Sequence, residues 1–239
     1  MNTIKLEKGN VRIIAHRGLS GLEKENTNSA FVAAGNRSYY GIETDIRKTG
    51  DGKFVLNHDA HFKRVADENV VVAESSLALI QSVVLKDVDG TKDREDLRPA
   101  TLENYLSICK KYEKKCILEL KDDFSREDIA QVIETIQGYD WLEHVVFISF
   151  TYENLVRLRE LLPAQPAQFL AFELNDEIIQ MAAEYRLDLD ISQKAITREK
   201  VAAVHAAGLK LNCWTVNTEE DGQRLIAWGV DYITTNILE

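Results

Sequence analysis

Residues 13–18 read IIAHRG, and this stretch decides the fold because an apolar run ends there abruptly on a histidine, an arginine and a glycine. A second apolar run ends in the same way at residues 54–59, FVLNHD. Enzymes built on parallel barrels carry their chemistry where the strands end, at the carboxyl-terminal mouth. The two histidines therefore predict a site at such a mouth.

The rest of the chain repeats this alternation of strand and helix. Helical stretches with apolar residues at three-and-four spacing separate most of the strand candidates. Repeated β-α units in 239 residues, joined by short loops, favour a (β/α)8 TIM barrel over a doubly wound sheet, which no Gly-x-Gly-x-x-Gly or phosphate-loop motif supports. The predicted strands are residues 11–15, 41–46, 53–57, 115–120, 145–149, 167–171, 187–192, 209–214 and 231–235.

Two segments depart from the repeat. Residues 47–52, RKTGDG, are too short for a helix, so the second and third strands form either a hairpin or a crossover without a helix. Residues 59–98 are a polar segment too long for an ordinary loop. We interpret them as a small insertion after the third strand, over one barrel mouth, within a single domain spanning 1–239.

Composition limits the classes of partner and compartment. Lysine and arginine number 29 against 39 acidic residues, a net charge of -10 that opposes binding to nucleic acid or an anionic membrane. The absence of a signal-peptide pattern or a membrane-spanning run predicts a cytoplasmic protein without membrane insertion. Cys109, Cys116 and Cys213 lack Cys-x-x-Cys spacing and are expected to be reduced, buried thiols.

Strand parity places three carboxylates together. In IETDI, Glu43 and Asp45 are two residues apart and so project from one face of their strand. In ILELK, Glu119 and Lys121 share a face with Ile117. A third carboxylate is therefore expected to point into the same barrel, with a lysine beside it.

The chemistry of this set favours a hard metal ion. Three carboxylates without a cysteine or a required histidine suit one divalent cation, Mg²⁺ or Ca²⁺, better than zinc. The alternative for Glu43 and Asp45 is a solvated hairpin with ion pairs to Arg47 or Lys48. Glu119 favours the metal, because its strand is otherwise too apolar to be exposed.

The histidines add groups for proton transfer. Imidazole titrates near neutral pH, so one of His16 and His58 can take a proton while the other gives one. Each taken alone is typical of a structural histidine, but Arg17, Lys121 and the carboxylates beside them favour catalysis. We assign no chemistry to His61, His144 and His205.

In these residues the chain resembles the glycerophosphodiester phosphodiesterase family. The resemblance runs in order along nearly the whole chain, and its set of two histidines and three carboxylates is the specific part. It is carried by HRG at 16–18, ENTNSAF at 25–31, IETDIRKTGDGKFVLNHD at 42–59, LRPATLENYL at 97–106, LELK at 118–121, ISF at 148–150, CWTVN at 213–217 and DYITTN at 231–236.

The resemblance implies a metal-dependent TIM-barrel hydrolase that cleaves a small-molecule glycerophosphodiester to sn-glycerol 3-phosphate and an alcohol. It implies an acid/base pair, His16 and His58; metal ligands, Glu43, Asp45 and Glu119; phosphate contacts, Arg17 and Lys121; and an apolar wall, Phe150 and Trp214. The nucleophile is left open between water and the glycerol 2-hydroxyl, because no nucleophile-elbow serine or activated cysteine is apparent.

Other functions and features stay open. A sphingomyelinase-D-like or other phospholipase shares the fold, and a catalytically silent barrel would bind glycerophosphodiesters without cleaving them. Residues 24–27 read KENT, where the family commonly has a proline before ENT, and Phe62 is the one aromatic residue in the insertion. The sequence leaves the leaving group and the oligomeric state undetermined.

Overall fold

The fold is a barrel of strands wrapped by helices, seen here in a computed structural model that describes residues 2–239. Every predicted strand is confirmed, with ends that move by at most two residues. The strands are β1 (Arg12–Ala15), β2 (Gly41–Lys48), β3 (Phe54–Leu56), β4 (Lys115–Leu120), β5 (Val145–Ser149), β6 (Ala167–Ala171), β7 (Asp188–Ser192), β8 (Leu211–Trp214) and β9 (Tyr232–Thr235). The helices are α1 (Asn28–Gly35), α2 (Leu77–Ser82), α3 (Leu102–Lys111), α4 (Arg126–Gln137), α5 (Tyr152–Leu161), α6 (Asp176–Glu184), α7 (Arg198–Ala206) and α8 (Glu219–Trp228).

The parallel strands close on themselves. Within residues 2–239, eight parallel strands follow one another around the barrel in the order β1, β2, β4, β5, β6, β7, β8, β9, and β9 pairs back onto β1. Ile14 is opposite Gly41 on one side of β1 and opposite Thr234 on the other. The predicted (β/α)8 TIM barrel is confirmed.

Strand β3 lies outside this ring. It pairs antiparallel with β2, with Ile46 opposite Leu56 and Lys48 opposite Phe54. The turn between them closes through a hydrogen bond from Thr49 N to Lys53 O, and Gly52 adopts φ +74, a conformation that glycine reaches without strain. Of the two connections left open by residues 47–52, the chain therefore uses the hairpin.

Side-chain parity divides the core into two layers. Ile14, Ile117 and Ile148 pack together inside the barrel. Ile42 and Leu118, with the opposite parity on their strands, are fully buried between the barrel and its helices. The carboxylates on the inward face of β2 and β4 are therefore held above an apolar plug.

Residues 59–98 have a hydrophobic cluster of their own. Phe62, Val72 and Ile80 are at most 2 % exposed and pack with Leu97 against Val55 of β3. The segment is polar in composition, but its scattered apolar residues are buried in this cluster, which the sequence did not predict. The cluster packs the segment against the β2–β3 hairpin, close to the point where the chain leaves β3.

The structure also places the three cysteines and allows a search for membrane-spanning helices. All three cysteines are buried and free, as expected. No helix among residues 2–239 is long and apolar enough to cross a membrane.

Candidate active site

The predicted site residues meet in one cleft at the carboxyl ends of the barrel strands. Eight of the nine line this cleft, and Asp45 lies beneath Arg17 with a 3.3 Å ion pair between Oδ2 and Nε. The eight lining residues are His16, Arg17, Glu43, His58, Glu119, Lys121, Phe150 and Trp214. Residues 16 and 235, which are more than 200 positions apart, are joined by a 2.8 Å backbone hydrogen bond where the barrel closes.

The three carboxylates converge. Glu43, Asp45 and Glu119 are 3 %, 1 % and 7 % exposed, and one oxygen from each lies within 4.8 Å of the others. Among residues 2–239, Asp45 Oδ1 has no hydrogen-bond partner. The alternative of a solvated hairpin is excluded, because Arg47 and Lys48 pair instead with acidic residues outside this set.

The carboxylates repel one another strongly. Burial, and then the charges of Asp45 and Glu119, raise the pKa of Glu43 well above its usual range. Burial and the charge of Asp45 likewise raise the pKa of Glu119 to about 8. For Asp45, burial also acts upward, but Arg17 and Lys121 outweigh it and lower the pKa. Two cations are thus too few for three buried anions, and an additional positive charge fits this space.

A tight turn after β1 explains why the chain leaves its core at HRG. Arg17 and Gly18 take positive φ values of 53° and 77° in succession, which turns the chain back across the strand ends. The Arg17 amide then donates to Glu43 Oε2 at 2.7 Å. A Cβ at Gly18 would lie 2.7 Å from the backbone carbon of Ala30, so only glycine fits here.

The two cations are aimed into the cleft from opposite sides of Asp45. The guanidinium of Arg17 contacts Asp45 Oδ2 and donates to Glu25 Oε1 at 2.9 Å. Lys121 Nζ lies 2.8 Å from Glu119 Oε1, 3.6 Å from Asp45 Oδ1 and 5.8 Å from the ring centre of Phe150. Both are therefore positioned to contact an anion above the carboxylates.

His16 is buried and held through one ring nitrogen. Its Nδ1 lies 2.7 Å from Asn236 Oδ1, so that Nδ1 carries the proton, and Nε2 is 3.9 Å from Glu43 Oε2. Burial, together with the charge of Arg17, lowers the pKa of His16 to about 4. The imidazole is therefore neutral near pH 7, with Nε2 free to accept a proton.

His58 is held through a chain of polar contacts. Its Nδ1 lies 2.7 Å from Asp59 Oδ1, and Arg64 donates to Asp59 Oδ2 at the same distance. Arg64 also donates two hydrogen bonds to Glu25, and Glu25 accepts one from Arg17. Burial, with the charges of Arg17 and Lys121, lowers the pKa of His58 below its usual value, although Asp45 and Asp59 act in the opposite direction.

Several of these residues were not predicted from the sequence. Glu25 lies in the quoted ENTNSAF motif, and Asn236 closes the quoted DYITTN motif, so motif membership was the available signal. Asp59 and Arg64 come after the end of β3 at Leu56 and lie in the segment interpreted as an insertion. Asp190 points into the barrel from β7, and its inward parity was a signal that went unused.

An aromatic wall forms the other half of the cleft. Phe150 and Trp214, both predicted there, pack with ring centres 5.6 Å apart. Phe172, which the sequence did not single out, stacks on Phe150 at 5.0 Å and is 68 % exposed. The cleft therefore has a charged side, formed from β1, β2 and β4, and an apolar side that reaches the surface.

The remaining histidines lie away from the cleft lining. His144 stacks on Trp141, with ring centres 3.7 Å apart, and His205 contacts Asp231 at 3.0 Å. His61 is exposed and forms a backbone bridge with Val71. These positions agree with the absence of any chemistry assigned to them.

Comparison with known proteins identifies the family. The model of the glycerophosphoryl diester phosphodiesterase family matches residues 16–239. A glycerophosphodiester phosphodiesterase of Bacillus subtilis is 28 % identical, covering 97 % of this chain and 85 % of its own. One from Caldanaerobacter subterraneus is 29 % identical, covering 94 % and 93 % respectively.

Solved structures agree with the sequence relatives. A phosphodiesterase of Oleispira antarctica, solved in complex with the product sn-glycerol-3-phosphate, superposes with a TM-score of 0.86 at 25 % identity, over 94 % of this chain and 92 % of its own. The prediction of a glycerophosphodiester phosphodiesterase is confirmed by these matches. The chain belongs to the glycerophosphoryl diester phosphodiesterase family.

Proposed function

We propose that this enzyme cleaves glycerophosphodiesters to sn-glycerol 3-phosphate and an alcohol, using one divalent cation and the pair His16 and His58. The observation that carries the proposal is the convergence of three buried carboxylates within 4.8 Å, flanked by two histidines and two cationic side chains in one cleft. The product bound to the Oleispira relative is the product this reaction would release.

The cation would be held by Glu43, Asp45 and Glu119. Carboxylate oxygens are the ligands that Mg²⁺ and Ca²⁺ prefer, and the unpartnered Oδ1 of Asp45 fits an ion at this point. When bound, the cation supplies positive charge that offsets the repulsion between a phosphodiester and its nucleophile.

Arg17 and Lys121 would hold the phosphate. Both side chains line the cleft and are largely buried, at 15 % and 11 % exposed, so water screens their charges only weakly. A phosphodiester anion between them would be oriented with its reacting phosphorus near both histidines. This fixed orientation lowers the entropy cost of the reaction.

The histidines would move the protons. His16 is held at Nδ1 by Asn236, so its Nε2 is the atom that accepts a proton from the nucleophile. His58 is held at Nδ1 by the carboxylate of Asp59, which stabilises its charged form, so its Nε2 donates a proton to the departing alcohol. The negative charge of the bound phosphodiester also favours the protonated form of His58.

The nucleophile would be the 2-hydroxyl of the substrate's own glycerol. The cleft lining within residues 2–239 includes neither a serine nor a cysteine to form a covalent intermediate. His16 takes the proton of this hydroxyl, and the hydroxyl oxygen forms a bond to phosphorus. The bond between phosphorus and the oxygen of the departing alcohol breaks as His58 protonates that alcohol oxygen. Water then opens the resulting cyclic phosphate to sn-glycerol 3-phosphate.

The test is product release with and without a chelator. The purified enzyme should release glycerol 3-phosphate from glycerophosphocholine and related diesters, lose that activity in excess EDTA, and regain it with Mg²⁺ or Ca²⁺. Glu43→Gln should also abolish it, whereas Glu143→Gln, at an 84 % exposed side chain outside the cleft, should not.

Three results would contradict the proposal. Full turnover in excess EDTA would remove the cation from the reaction. Release of a phosphorylated alcohol and free glycerol would place the cleaved bond on the wrong side of phosphorus. Binding of diesters without any turnover would favour the catalytically silent barrel.

A further inference from the structure

A buried carboxyl group on the apolar side of the cleft has no role in the reaction described above. Asp190 of β7 is 2 % exposed and lines the cleft, and its Oδ1 has no hydrogen-bond partner among residues 2–239. An unpaired buried polar atom costs free energy, on the order of 1–3 kcal/mol. A group this costly, placed at a binding cleft, indicates a ligand that supplies the missing hydrogen bond.

The barrel order places Asp190 opposite the metal ligands. Strand β7 is four places from β2 around the closed ring, so Asp190 faces Glu43 across the barrel. Its neighbours in register are Leu170 on one side and Asn212 on the other. The carboxyl group is therefore a single acidic function on a wall otherwise formed by apolar and neutral side chains.

Asp190 also lies deeper than the aromatic wall. Trp214 is two residues beyond Asn212, the register partner of Asp190, and it covers β7 by donating from Nε1 to the backbone oxygen of Asp190 at 3.1 Å. Thr234, which also lines the cleft, accepts a hydrogen bond of 3.0 Å from Asn212 Nδ2. A small polar group at the bottom of the cleft would thus meet the free oxygen of Asp190.

The depth of Asp190 in the cleft determines which end of the substrate reaches it. With the phosphate held by Arg17 and Lys121, the bulky alcohol has to extend toward the open mouth, past Phe172. The small glycerol end then points inward. Its 2-hydroxyl is committed to attack on phosphorus, which leaves the terminal hydroxyl for the floor of the cleft.

We infer that Asp190 forms a hydrogen bond with the terminal hydroxyl of the glycerol moiety and so selects glycerophosphodiesters over diesters that lack this hydroxyl. The inference rests on the proposed function and specifies its substrate end. A site built to pair with a hydroxyl rejects the analogue without it, because the buried group is then left unpaired. Asp190 is accordingly a specificity-determining residue that takes no part in proton transfer.

The experiment compares two substrates that carry the same alcohol. One is the glycerol diester, and the other is the matching diester of propane-1,2-diol, which keeps the attacking hydroxyl and lacks the terminal one. The wild-type kcat/KM should favour the glycerol diester by roughly 10- to 100-fold, as expected for one hydrogen bond to a buried polar group.

Variants of Asp190 then assign that preference to the residue. Asp190→Ala should lower kcat/KM for the glycerol diester by a similar factor and leave the propanediol diester within about twofold, while Asp190→Asn, which can still pair with a hydroxyl, keeps most of the preference. Asp188→Asn is the matched control on the same strand; Asp188 accepts from Lys210 N and lies outside this cleft. It should leave the substrate preference unchanged.

Folding and function are separated by a second readout. Because Asp190 Oδ1 has no hydrogen-bond partner among residues 2–239, Asp190→Ala should lower the melting temperature only slightly. Equal losses on both substrates, or a wild-type enzyme that does not distinguish them, would overturn the inference and leave the proposed function standing. A wild-type enzyme that cleaves neither diester would overturn both.

Discussion

Glu25 joins Arg17 at the cleft to Arg64 of the insertion. The shift of its pKa on folding gives a prediction with a definite size. Its carboxylate accepts hydrogen bonds of 2.8 to 2.9 Å from both arginines and is 17 % exposed. Burial alone would raise the pKa of Glu25, but the hydrogen bonds of Arg64 and the charge of Arg17 outweigh it and lower the pKa from 4.5 to about 2. The ionised carboxylate is therefore stabilised by folding.

The shift sets the size of the effect. A pKa that falls from 4.5 to about 2 on folding corresponds to about 3 kcal/mol of unfolding free energy. Arg64 is 44 % exposed, so solvent screens part of this interaction and we expect about 2 kcal/mol. Because the folded pKa is depressed, this stability is present in full above pH 4.5 and is lost as the pH falls through 2.

Urea unfolding of wild type and Glu25→Gln in EDTA, at several pH values, measures the effect. The variant should be less stable by about 2 kcal/mol at pH 7, and the difference should shrink below pH 4.5 and vanish near pH 2. Glu143→Gln is the control and should match wild type throughout. A Glu25→Gln deficit of the same size at pH 7 and pH 2 would refute the electrostatic reasoning and indicate a packing defect.

The remaining predictions concern the reaction. His16→Ala and His58→Ala should each lower kcat on the order of a hundredfold or more without a lower melting temperature, while His205→Ala leaves kcat unchanged; a matching loss of stability would make the histidines structural. Arg64→Lys should lower kcat about tenfold, because an ammonium group cannot reproduce the guanidinium geometry that holds Asp59. An unchanged kcat would mean that Asp59 needs no support from Arg64. A glycerophosphodiester lacking the 2-hydroxyl should bind as a competitive inhibitor and turn over very slowly; hydrolysis as fast as that of glycerophosphocholine would indicate direct attack by water.

The barrel was predictable because local and long-range signals agree in its strands. Glu43 and Glu119 lie at inward positions of strands whose outward residues are mostly apolar, so parity alone put both carboxylates on one side. Parallel order then put the strand ends at one mouth. The convergence of the metal-ligand candidates thus followed from the sequence without any knowledge of distances.

The environment of the histidines was harder to predict. The partner of His16 is Asn236, 220 residues away, and the two meet only because β9 closes the ring against β1. Asp59 adjoins His58 in sequence, but its second partner, Arg64, depends on how the insertion packs. No periodic pattern specifies that packing.

The hydrophobic cluster of residues 59–98 was not predicted from the sequence, for a physical reason. Phe62 and Ile80 are apolar residues separated by charged ones at irregular spacing, which matches neither the strand nor the helix period. They are buried because β3 offers Val55 as a surface to pack on. Asp190 was missed for a different reason, since the inward parity that it shares with Asp188 on β7 was not used and no quoted motif contains it.

The hairpin has a consequence for local stability. His16 follows a barrel strand that is paired on both sides, whereas His58 follows β3, which among residues 2–239 pairs as a strand with β2 alone. Native-state hydrogen exchange generally finds that edge segments open at a lower free energy than central strands. We therefore expect the amides of β3 to exchange before those of the ring, so that a folded molecule with this edge open has lost His58, one of the two proton carriers that we propose. Opening of this edge, which would abolish catalysis, and global unfolding are then separate equilibria in this protein. The free energy of edge opening is the smaller of the two.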